Sequence, residues 1–265
     1  MRYGVCLGID KTNEIAIAAR LGFDYIETGF SGLGRGTDEE FEAFKAALTQ
    51  NGIRCEAANG FLPRDYRVTG KNIDREKLIS YVEKGMKRGA ETGLQTVVFG
   101  SSGARNLDEE TDYITGFRQL TDFLREIACP AAARYGITIV TEPLRQQESN
   151  IINTVLDSAG LAAACGAENV GALADIYHME VEKDSFQNIR RLCGCLKHAH
   201  ISYPFERDGQ KRVYPKSADE YDYAGFLDAL RFAGCERCSI EAGYTDFESS
   251  AKDAIAVLRE LDRIN

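Results

Sequence analysis

Residues 137–154, ITIVTEPLRQQESNIINT, are the stretch that decides the fold. They open on a β-branched, apolar run that is typical of a buried strand. The run ends at the carboxylate of Glu142, and Pro143 follows it. Because Pro143 cannot donate a hydrogen bond to a sheet, regular pairing stops there. A buried carboxylate without a partner costs several kcal/mol, so the sequence predicts a group that holds the charge of Glu142.

The same succession of strand, polar loop and helix recurs along the whole chain. Strands are predicted at residues 2–9, 25–30, 53–59, 96–100, 137–142, 170–175, 196–201 and 238–242. Helices are predicted at residues 13–21, 37–49, 74–93, 108–134, 153–165, 184–192, 221–232 and 247–261. A doubly wound sheet also alternates in this way, but no GxGxxG motif follows the first strand. Eight units in 265 residues favour an α/β protein with a (β/α)8 TIM barrel as a single domain over residues 1–265.

Composition narrows the partners and the compartment. The net charge of −9 disfavours nucleic acid, because an acidic surface repels phosphates. No signal peptide and no apolar run of about 20 residues is visible, so we expect a cytoplasmic protein that does not enter a membrane. The eight cysteines are then expected as free thiols, although Cys193-x-Cys195 and Cys235-x-x-Cys238 leave a structural zinc site open. A homo-oligomer also stays open.

Four consecutive strands end in groups that can bind a metal. In a TIM barrel the carboxyl ends of all strands meet at one face, where the active site lies. The fifth to eighth strands bring Glu142, Asp175, His200 and Glu241 to that face. Three carboxylates would repel one another in a mouth of low dielectric constant. A divalent cation removes the repulsion, and this oxygen-rich set suits Mn²⁺ best, with Mg²⁺, Co²⁺ or Zn²⁺ as alternatives.

The three histidines of the chain all lie in this region, at His178, His198 and His200. Strand alternation puts His198 and His200 on the same face of the seventh strand. His200 is nearer the carboxyl end, so we predict it as the metal ligand. His198 is expected deeper, inside the barrel or behind the metal ligands.

Residues 142–154, EPLRQQESNIINT, resemble the E-P-L-N-R-x-E-x-x-x-x-N-T element of ketose 3-epimerases of the tagatose/psicose type. These enzymes are part of the xylose isomerase-like sugar isomerase/epimerase superfamily. Residues 175–179, DIYHM, are similar to the D-x-x-H-M element of that family, and His200 and Glu241 also fit its pattern. The resemblance covers the chain as a barrel and is sharpest over residues 137–243.

This resemblance implies an isomerase that acts on a sugar, or on a sugar phosphate, through an enediolate. It implies Glu142 and Glu241 as metal ligands that also form the acid–base pair. Glu148 and His178 would contact substrate hydroxyls. The chain departs from the family where Arg145-Gln146 replaces Asn-Arg. It departs again six residues after His200, where the family has an arginine and this chain does not; Arg207, one residue further on, is predicted to replace it.

Several functions stay open from the sequence. Two carboxylates on opposite faces of a sugar give epimerisation, whereas proton delivery to the adjacent carbon gives aldose–ketose isomerisation. A dehydratase of a cyclic polyol, an inosose-type lyase, could use the same site, and a non-catalytic sugar-binding barrel is a further alternative. An endonuclease IV-like repair enzyme is remote, because its trinuclear zinc site needs more histidines and strands three and four end in Asn59 and Ser101.

Two features keep more than one interpretation. Glu27 and Glu56 lie in early strands, where Glu27 could line the mouth or make structural hydrogen bonds. The polar insertion at residues 204–220 contains several basic residues, among them Arg212 and Lys216. It could cover the site or bind a substrate phosphate.

Overall fold

A computed structural model describes residues 1–264 and shows a closed barrel of eight parallel strands. Each strand pairs with the next one along the chain, and the eighth pairs with the first. The strands are β1 Arg2–Cys6, β2 Tyr25–Gly29, β3 Cys55–Asn59, β4 Thr96–Phe99, β5 Thr138–Thr141, β6 Val170–Asp175, β7 Leu196–Ile201 and β8 Arg237–Ile240. The predicted (β/α)8 barrel is therefore confirmed. Asn265 falls outside the described residues, and the assignment of residues 1–265 to one domain stays a prediction.

Helices surround the barrel and connect its strands. They are α1 Thr12–Leu21, α2 Phe30–Arg35, α3 Asp38–Gln50, α4 Arg75–Thr92, α5 Ser102–Arg105, α6 Tyr113–Phe123, α7 Cys129–Ala133, α8 Val155–Cys165, α9 Ile176–Glu182, α10 Phe186–Arg190, α11 Tyr223–Phe232 and α12 Phe247–Ile264. In the part of the chain that the structure describes, no helix combines the length and the apolar character that a membrane span requires. All eight cysteines are free thiols.

The helix predicted at residues 108–134 is broken up in the structure. It is preceded by the separate short helix α5, and it begins at Tyr113 rather than at Asp108. Between α6 and α7 the stretch Leu124–Ala128 takes a π-helical form, and it ends two residues before Pro130. Proline has no backbone N–H and its ring crowds the preceding turn. A π-bulge relieves this conflict without ending the helix.

Two helices near the predicted site begin differently from the prediction. α8 is capped by Thr154 and not by Asn153, since the Thr154 side chain accepts a hydrogen bond from the backbone N–H of Asp157. Asn153 instead donates to the carbonyl oxygens of Leu144 and Ser149, and so shapes the loop after β5. Helix α9, which starts immediately after β6, is an additional element that was not predicted.

The interior of the barrel is divided into an apolar and a polar part. Val98, Val140 and Leu173 form a small apolar cluster separate from the large core between strands and helices. On the other side, a hydrogen bond joins Glu27 on β2 to His198 on β7. β8 and β1 lie between these two strands, so this bond crosses the interior. Of the two roles considered for Glu27, the structure therefore favours the structural one.

The insertion between β7 and α11 folds into a short β-hairpin. Tyr203 pairs with Val213 in antiparallel fashion, and residues 207–210 make the turn. Asp208 and Gly209 at the turn have φ angles of 53° and 75°. An Asp-Gly pair with positive φ angles is the preferred sequence for a two-residue hairpin turn. The chain therefore returns to the barrel mouth after its excursion.

Glu56 is a buried carboxylate near the amino ends of the strands, away from the predicted site. It accepts from Arg2 at 2.5 Å and from Arg237 at 2.9 Å. Replacing Glu56 by alanine leaves the partly buried guanidinium of Arg237 without its carboxylate. We expect the free energy of unfolding to fall by about 1–3 kcal/mol, measured by denaturant titration. Glu168→Ala, at an exposed position, is the matched control, and an equal effect of the two variants would contradict the assignment.

Candidate functional site

The four residues predicted as metal ligands meet at the carboxyl ends of neighbouring strands. Asp175 is the last residue of β6, and His200 is the last residue but one of β7. Glu142 and Glu241 each follow the last residue of their strands, β5 and β8. The side chains of Asp175 and His200 are completely buried, that of Glu142 is nearly so, and that of Glu241 is 26% exposed. Of these four residues, Glu241 is therefore the one whose side chain is partly exposed to solvent.

Three carboxylates converge on a single ring nitrogen. His200 Nδ1 lies 3.1 Å from Glu142 Oε1, 3.5 Å from Asp175 Oδ2 and 3.0 Å from Glu241 Oε2. One ligand atom from each of the four residues lies within 4.8 Å of the others. Ligand distances of about 2.0–2.6 Å place donors on opposite sides of a divalent cation about 4–5 Å apart. These four residues therefore fit a single cation of this kind.

The donor chemistry agrees with that fit. Three carboxylate oxygens and one imidazole nitrogen form a hard, oxygen-rich set of ligands, which suits Mn²⁺, Mg²⁺ or a related divalent ion. One proton on His200 Nδ1 can make only one strong hydrogen bond, so it cannot satisfy all three carboxylates. The two cysteine pairs in which the sequence left a zinc site open are not among the metal-binding groups found in residues 1–264.

Asp175 divides its two oxygens between the fold and the site. Oδ1 accepts from the backbone N–H groups of Tyr177 at 2.8 Å and His178 at 3.3 Å, which caps the first turn of α9. Oδ2 faces His200 and the guanidinium of Arg212. Burial alone would raise the pKa of Asp175, but Arg212, His178 and His200 outweigh it and lower the pKa. The cap fixes the direction of this carboxylate because its rotation would break the helix start.

Glu241 is held from two sides. Asn59 at the end of β3 donates to Oε1 at 2.9 Å, and Arg212 donates to Oε2 at 2.6 Å. Burial alone would raise the pKa of Glu241, but the charges of Arg212 and His200 lower it. Glu142 has no such arginine bond, and burial leaves its pKa raised despite the opposing effect of His200. The pKa values of the two glutamates are therefore shifted in opposite directions.

His178 has a defined tautomer. Its Nδ1 accepts the backbone N–H of Arg145 at 3.2 Å, so the proton of the neutral ring is on Nε2. The ring is buried and packs edge-on against Tyr177. Glu148, also predicted to contact substrate, lies at the rim and accepts from Arg145 Nε at 2.6 Å through Oε1. These contacts leave one donor on His178, while the second oxygen of Glu148 makes no contact with Arg145.

The two arginines of the insertion have different surroundings in the structure, and the substrate contact predicted for Arg207 stays a prediction. Arg207 donates to Glu220 at 2.6 Å and its guanidinium stacks over Tyr203, 4.1 Å from the ring centroid. These contacts stabilise the hairpin, and none of the described bonds of Arg207 reaches the four predicted ligands. Arg212 is the arginine that contacts Asp175 and Glu241. The hairpin turn brings it there, and its backbone oxygen accepts from Gly243 after β8 at 2.9 Å.

Gly100, at the end of β4, gives Glu142 its space. A Cβ atom at this position would lie 2.1 Å from Glu142 Oε2, closer than real atoms approach. In Gly100→Ala the carboxylate must move, and we expect kcat/KM on the substrate to fall by about 10²-fold, the effect of misplacing a catalytic group by about 1 Å. Gly160→Ala, on α8 with no atom within 4 Å of the added carbon, is the matched control. Equal activity of the two variants would contradict this role of Gly100.

Residues 15–261 match the model of the xylose isomerase-like TIM barrel. The chain belongs to this family. The match covers most of the chain and confirms the resemblance predicted from the residues after β5 and β6.

Individual relatives are distant and are epimerases. The chain is 27% identical over 256 residues to the 3-dehydro-D-guloside 4-epimerase of Escherichia coli, covering 89% of this chain and 92% of that enzyme. It is 24% identical over 198 residues to the D-psicose 3-epimerase of Agrobacterium fabrum, covering 69% of this chain and 64% of that enzyme's length. These names are those of isomerase-class enzymes, which supports the predicted enzyme class over the dehydratase and the endonuclease.

A solved structure gives the same fold. The D-allulose 3-epimerase of Methylomonas sp. superposes with a TM-score of 0.82, covering 98% of this chain and 96% of that one, at 19% identity. At this identity the likeness establishes the architecture of the barrel. The family's fold is therefore shared from end to end of the described chain.

Proposed function

We propose that this protein is a divalent-metal-dependent sugar epimerase or isomerase that moves a proton next to a carbonyl group. The convergence of Glu142, Asp175 and Glu241 on His200 Nδ1 carries the proposal. Such a set can hold one divalent ion, with Mn²⁺ the first choice. Bound there, the ion would polarise a carbonyl oxygen and a neighbouring hydroxyl of the sugar, so that the hydrogen on the carbon between them becomes acidic.

Glu142 and Glu241 are the proposed acid–base pair. They follow β5 and β8, so they reach the site from different sides of the barrel mouth. One carboxylate removes the carbon-bound proton and the other returns a proton to the opposite face, which inverts the carbon. Burial raises the pKa of Glu142, whereas in Glu241 the charges of Arg212 and His200 outweigh burial and lower the pKa, so the two carboxylates differ in their tendency to hold a proton.

Three further residues are proposed to bind the sugar. His178 can donate its Nε2 proton to the oxygen on which negative charge develops during proton removal. Glu148 can accept from a hydroxyl through its second oxygen. Arg212, partly buried beside Glu241 and Asp175, is proposed in place of Arg207 to donate to substrate oxygens, because it is the arginine that the hairpin brings to the site.

The substrate class is a small ketose or a keto sugar. Its support is the family and the names of the relatives, which act on a psicose and on a 3-dehydro-guloside. A panel of free ketoses, their phosphates and 3-keto glycosides, incubated with the Mn²⁺-loaded protein, tests the proposal by the appearance of the epimer. Turnover of none of these sugars by a metal-loaded protein would contradict it. Cytoplasmic location, the exclusion of nucleic acid and a possible homo-oligomer stay predictions.

The two arginines of the hairpin can be separated by mutation. Arg212→Ala removes a partly buried cation next to the proposed metal ligands, and we expect kcat/KM to fall by about 10–100-fold, the value of one or two charged hydrogen bonds. Arg207→Ala is the matched control: it should change kcat/KM by less than about threefold, and lower the Tm through loss of the bond to Glu220. Steady-state kinetics with the substrate found in the panel decide between them. The reverse order of effects would restore the original assignment to Arg207.

A further inference from the structure

A further buried carboxylate contacts the histidine of the candidate metal centre. Glu27 on β2 is completely buried, and it contacts two histidines at once. Its Oε1 lies 2.8 Å from His200 Nε2, and its Oε2 lies 2.8 Å from His198 Nε2. Both histidines are on β7, two residues apart, so a single carboxylate spans the two rings from across the barrel.

This arrangement decides where the ring protons are. An ionised carboxylate can only accept hydrogen bonds, so both histidines must carry a proton on Nε2. For His200 the proton faces Glu27, and the opposite nitrogen, Nδ1, faces the three carboxylates of the site. A metal ion can bind Nδ1 only when that nitrogen has no proton, and Glu27 keeps the other proton in place while this happens.

His198 completes the arrangement. Its Nε2 donates to Glu27 and lies 3.4 Å from the hydroxyl of Ser239, which in turn lies 2.9 Å from the hydroxyl of Tyr25. Within the described residues, His198 Nδ1 is buried and makes no hydrogen bond. A proton on Nδ1 would be a buried donor without a partner, which is costly. His198 is therefore also restricted to the form with its proton on Nε2.

We propose that Glu27 and His198 are positioning residues for the metal centre: Glu27 holds His200 in the one tautomer that can bind a metal, and His198 holds Glu27. The inference rests on the proposed function for the identity of the centre. It explains why a carboxylate and a second histidine are completely buried inside the barrel, next to the proposed metal ligand His200. It also gives a role to His198, which is not one of the four proposed metal ligands.

Glu27→Gln tests the inference because glutamine has the same shape but one donor end. If its NH₂ group faces His200, Nε2 must accept and the proton moves to Nδ1, where it blocks the metal. If the NH₂ group faces His198, that ring must take its proton on the unpartnered Nδ1. Both arrangements oppose metal binding. We expect the Kd for Mn²⁺, measured by calorimetric titration, to rise by about 10–100-fold.

Substitution of His198 distinguishes this role from simple packing. Glutamine can place its amide near the position of Nε2, so His198→Gln alone still donates to Glu27 and should bind Mn²⁺ within about threefold of the wild type. His198→Met removes the donor and should bind more weakly than His198→Gln. In the double variant Glu27→Gln/His198→Gln, the new side chain can accept from Gln at position 27, whose oxygen is then free to face His200. We expect the double variant to recover roughly fivefold or more of the affinity lost in Glu27→Gln.

The outcomes separate this inference from the proposed function. Each variant is first checked for an unchanged circular dichroism spectrum and a cooperative Tm in chelator. If Glu27→Gln does not fold, the comparison of His198→Gln with His198→Met decides. Wild-type affinity in Glu27→Gln, or a double variant no tighter than the single one, would overturn the inference even if sugars are epimerised. Weaker binding with the expected recovery would support it even if no sugar in the panel is turned over, and a wild-type protein without Mn²⁺ affinity would overturn it.

Discussion

Glu241→Gln is expected to lower kcat/KM for the sugar by about 10²–10⁴-fold, the contribution of one general acid–base group. Glutamine keeps one oxygen that can bind a metal, but its amide cannot take a proton at neutral pH. Glu142→Gln should cause a loss of the same order, because in inversion of a carbon each carboxylate serves one face. Steady-state kinetics at saturating Mn²⁺ measure both effects.

Metal content must be measured in the same samples. A loss of turnover with Mn²⁺ still bound assigns the effect to proton transfer, whereas a loss of bound metal assigns it to the centre. Glu168→Gln, at an exposed position, serves as the control and should behave as the wild type. Full turnover by Glu241→Gln would exclude the paired-base mechanism.

Removal of divalent metal is expected to abolish turnover, and addition of Mn²⁺ is expected to restore it. Binding to the folded state alone also stabilises the protein, by about 2.7 kcal/mol when the free metal is at 100 times its Kd. The Tm should therefore rise on addition of Mn²⁺ to chelator-treated protein. Thermal unfolding with and without Mn²⁺ measures this shift independently of any substrate.

Alanine variants of the four ligands provide the control for that experiment. Glu142→Ala, Asp175→Ala, His200→Ala and Glu241→Ala each remove one donor from the centre, so each should reduce or abolish the Mn²⁺-dependent rise in Tm. An unchanged rise in all four variants would place the metal elsewhere. Turnover that survives complete removal of metal would contradict the proposed function.

Much of the fold could be predicted from the sequence because a TIM barrel repeats one local pattern. Apolar, β-branched runs mark each strand, and residues 170–175 and 196–201 were predicted with the bounds that the structure has. The helix after β4 was predicted less well. Its start and its π-helical stretch depend on tertiary packing and on Pro130, and helical periodicity reports neither of these.

The four residues at the strand ends could be predicted because topology alone brings them together. Once the chain is a barrel, consecutive strands end at one face, so Glu142, Asp175, His200 and Glu241 must be neighbours. The prediction needed only the ends of four strands. No side-chain conformation had to be known, and in the structure the three carboxylates lie around Nδ1 of His200.

Arg212 was not predicted at the site, because an insertion has no fixed register relative to the strands. The spacing from His200 in the family points to Arg207. In the structure the chain turns back at residues 207–210, so Arg212, after the turn, is the arginine that reaches the site. The Asp208-Gly209 pair was the available signal, since it favours a two-residue turn that sends the chain back to the barrel. With that turn recognised, the residues after it, including Arg212, become the candidates for the mouth.

The role of Glu27 could not be decided from the sequence for a different reason. Alternation places His198 and His200 on one face of β7, but their partner comes from β2 on the other side of the interior. Which side chains meet across a barrel depends on the stagger of its strands, and this is not encoded in any local pattern. The sequence therefore left two roles open where the structure favours one.

Exchange of solvent hydrogen tests the central claim most directly. The Mn²⁺-loaded protein is incubated in D₂O with each sugar of the panel, and the label is located by NMR. In a reaction with two bases the product must receive its new hydrogen from solvent, so we predict deuterium at the inverted carbon, next to the carbonyl group, and none in Glu241→Gln. Formation of an epimer without label at that carbon would contradict proton transfer by Glu142 and Glu241.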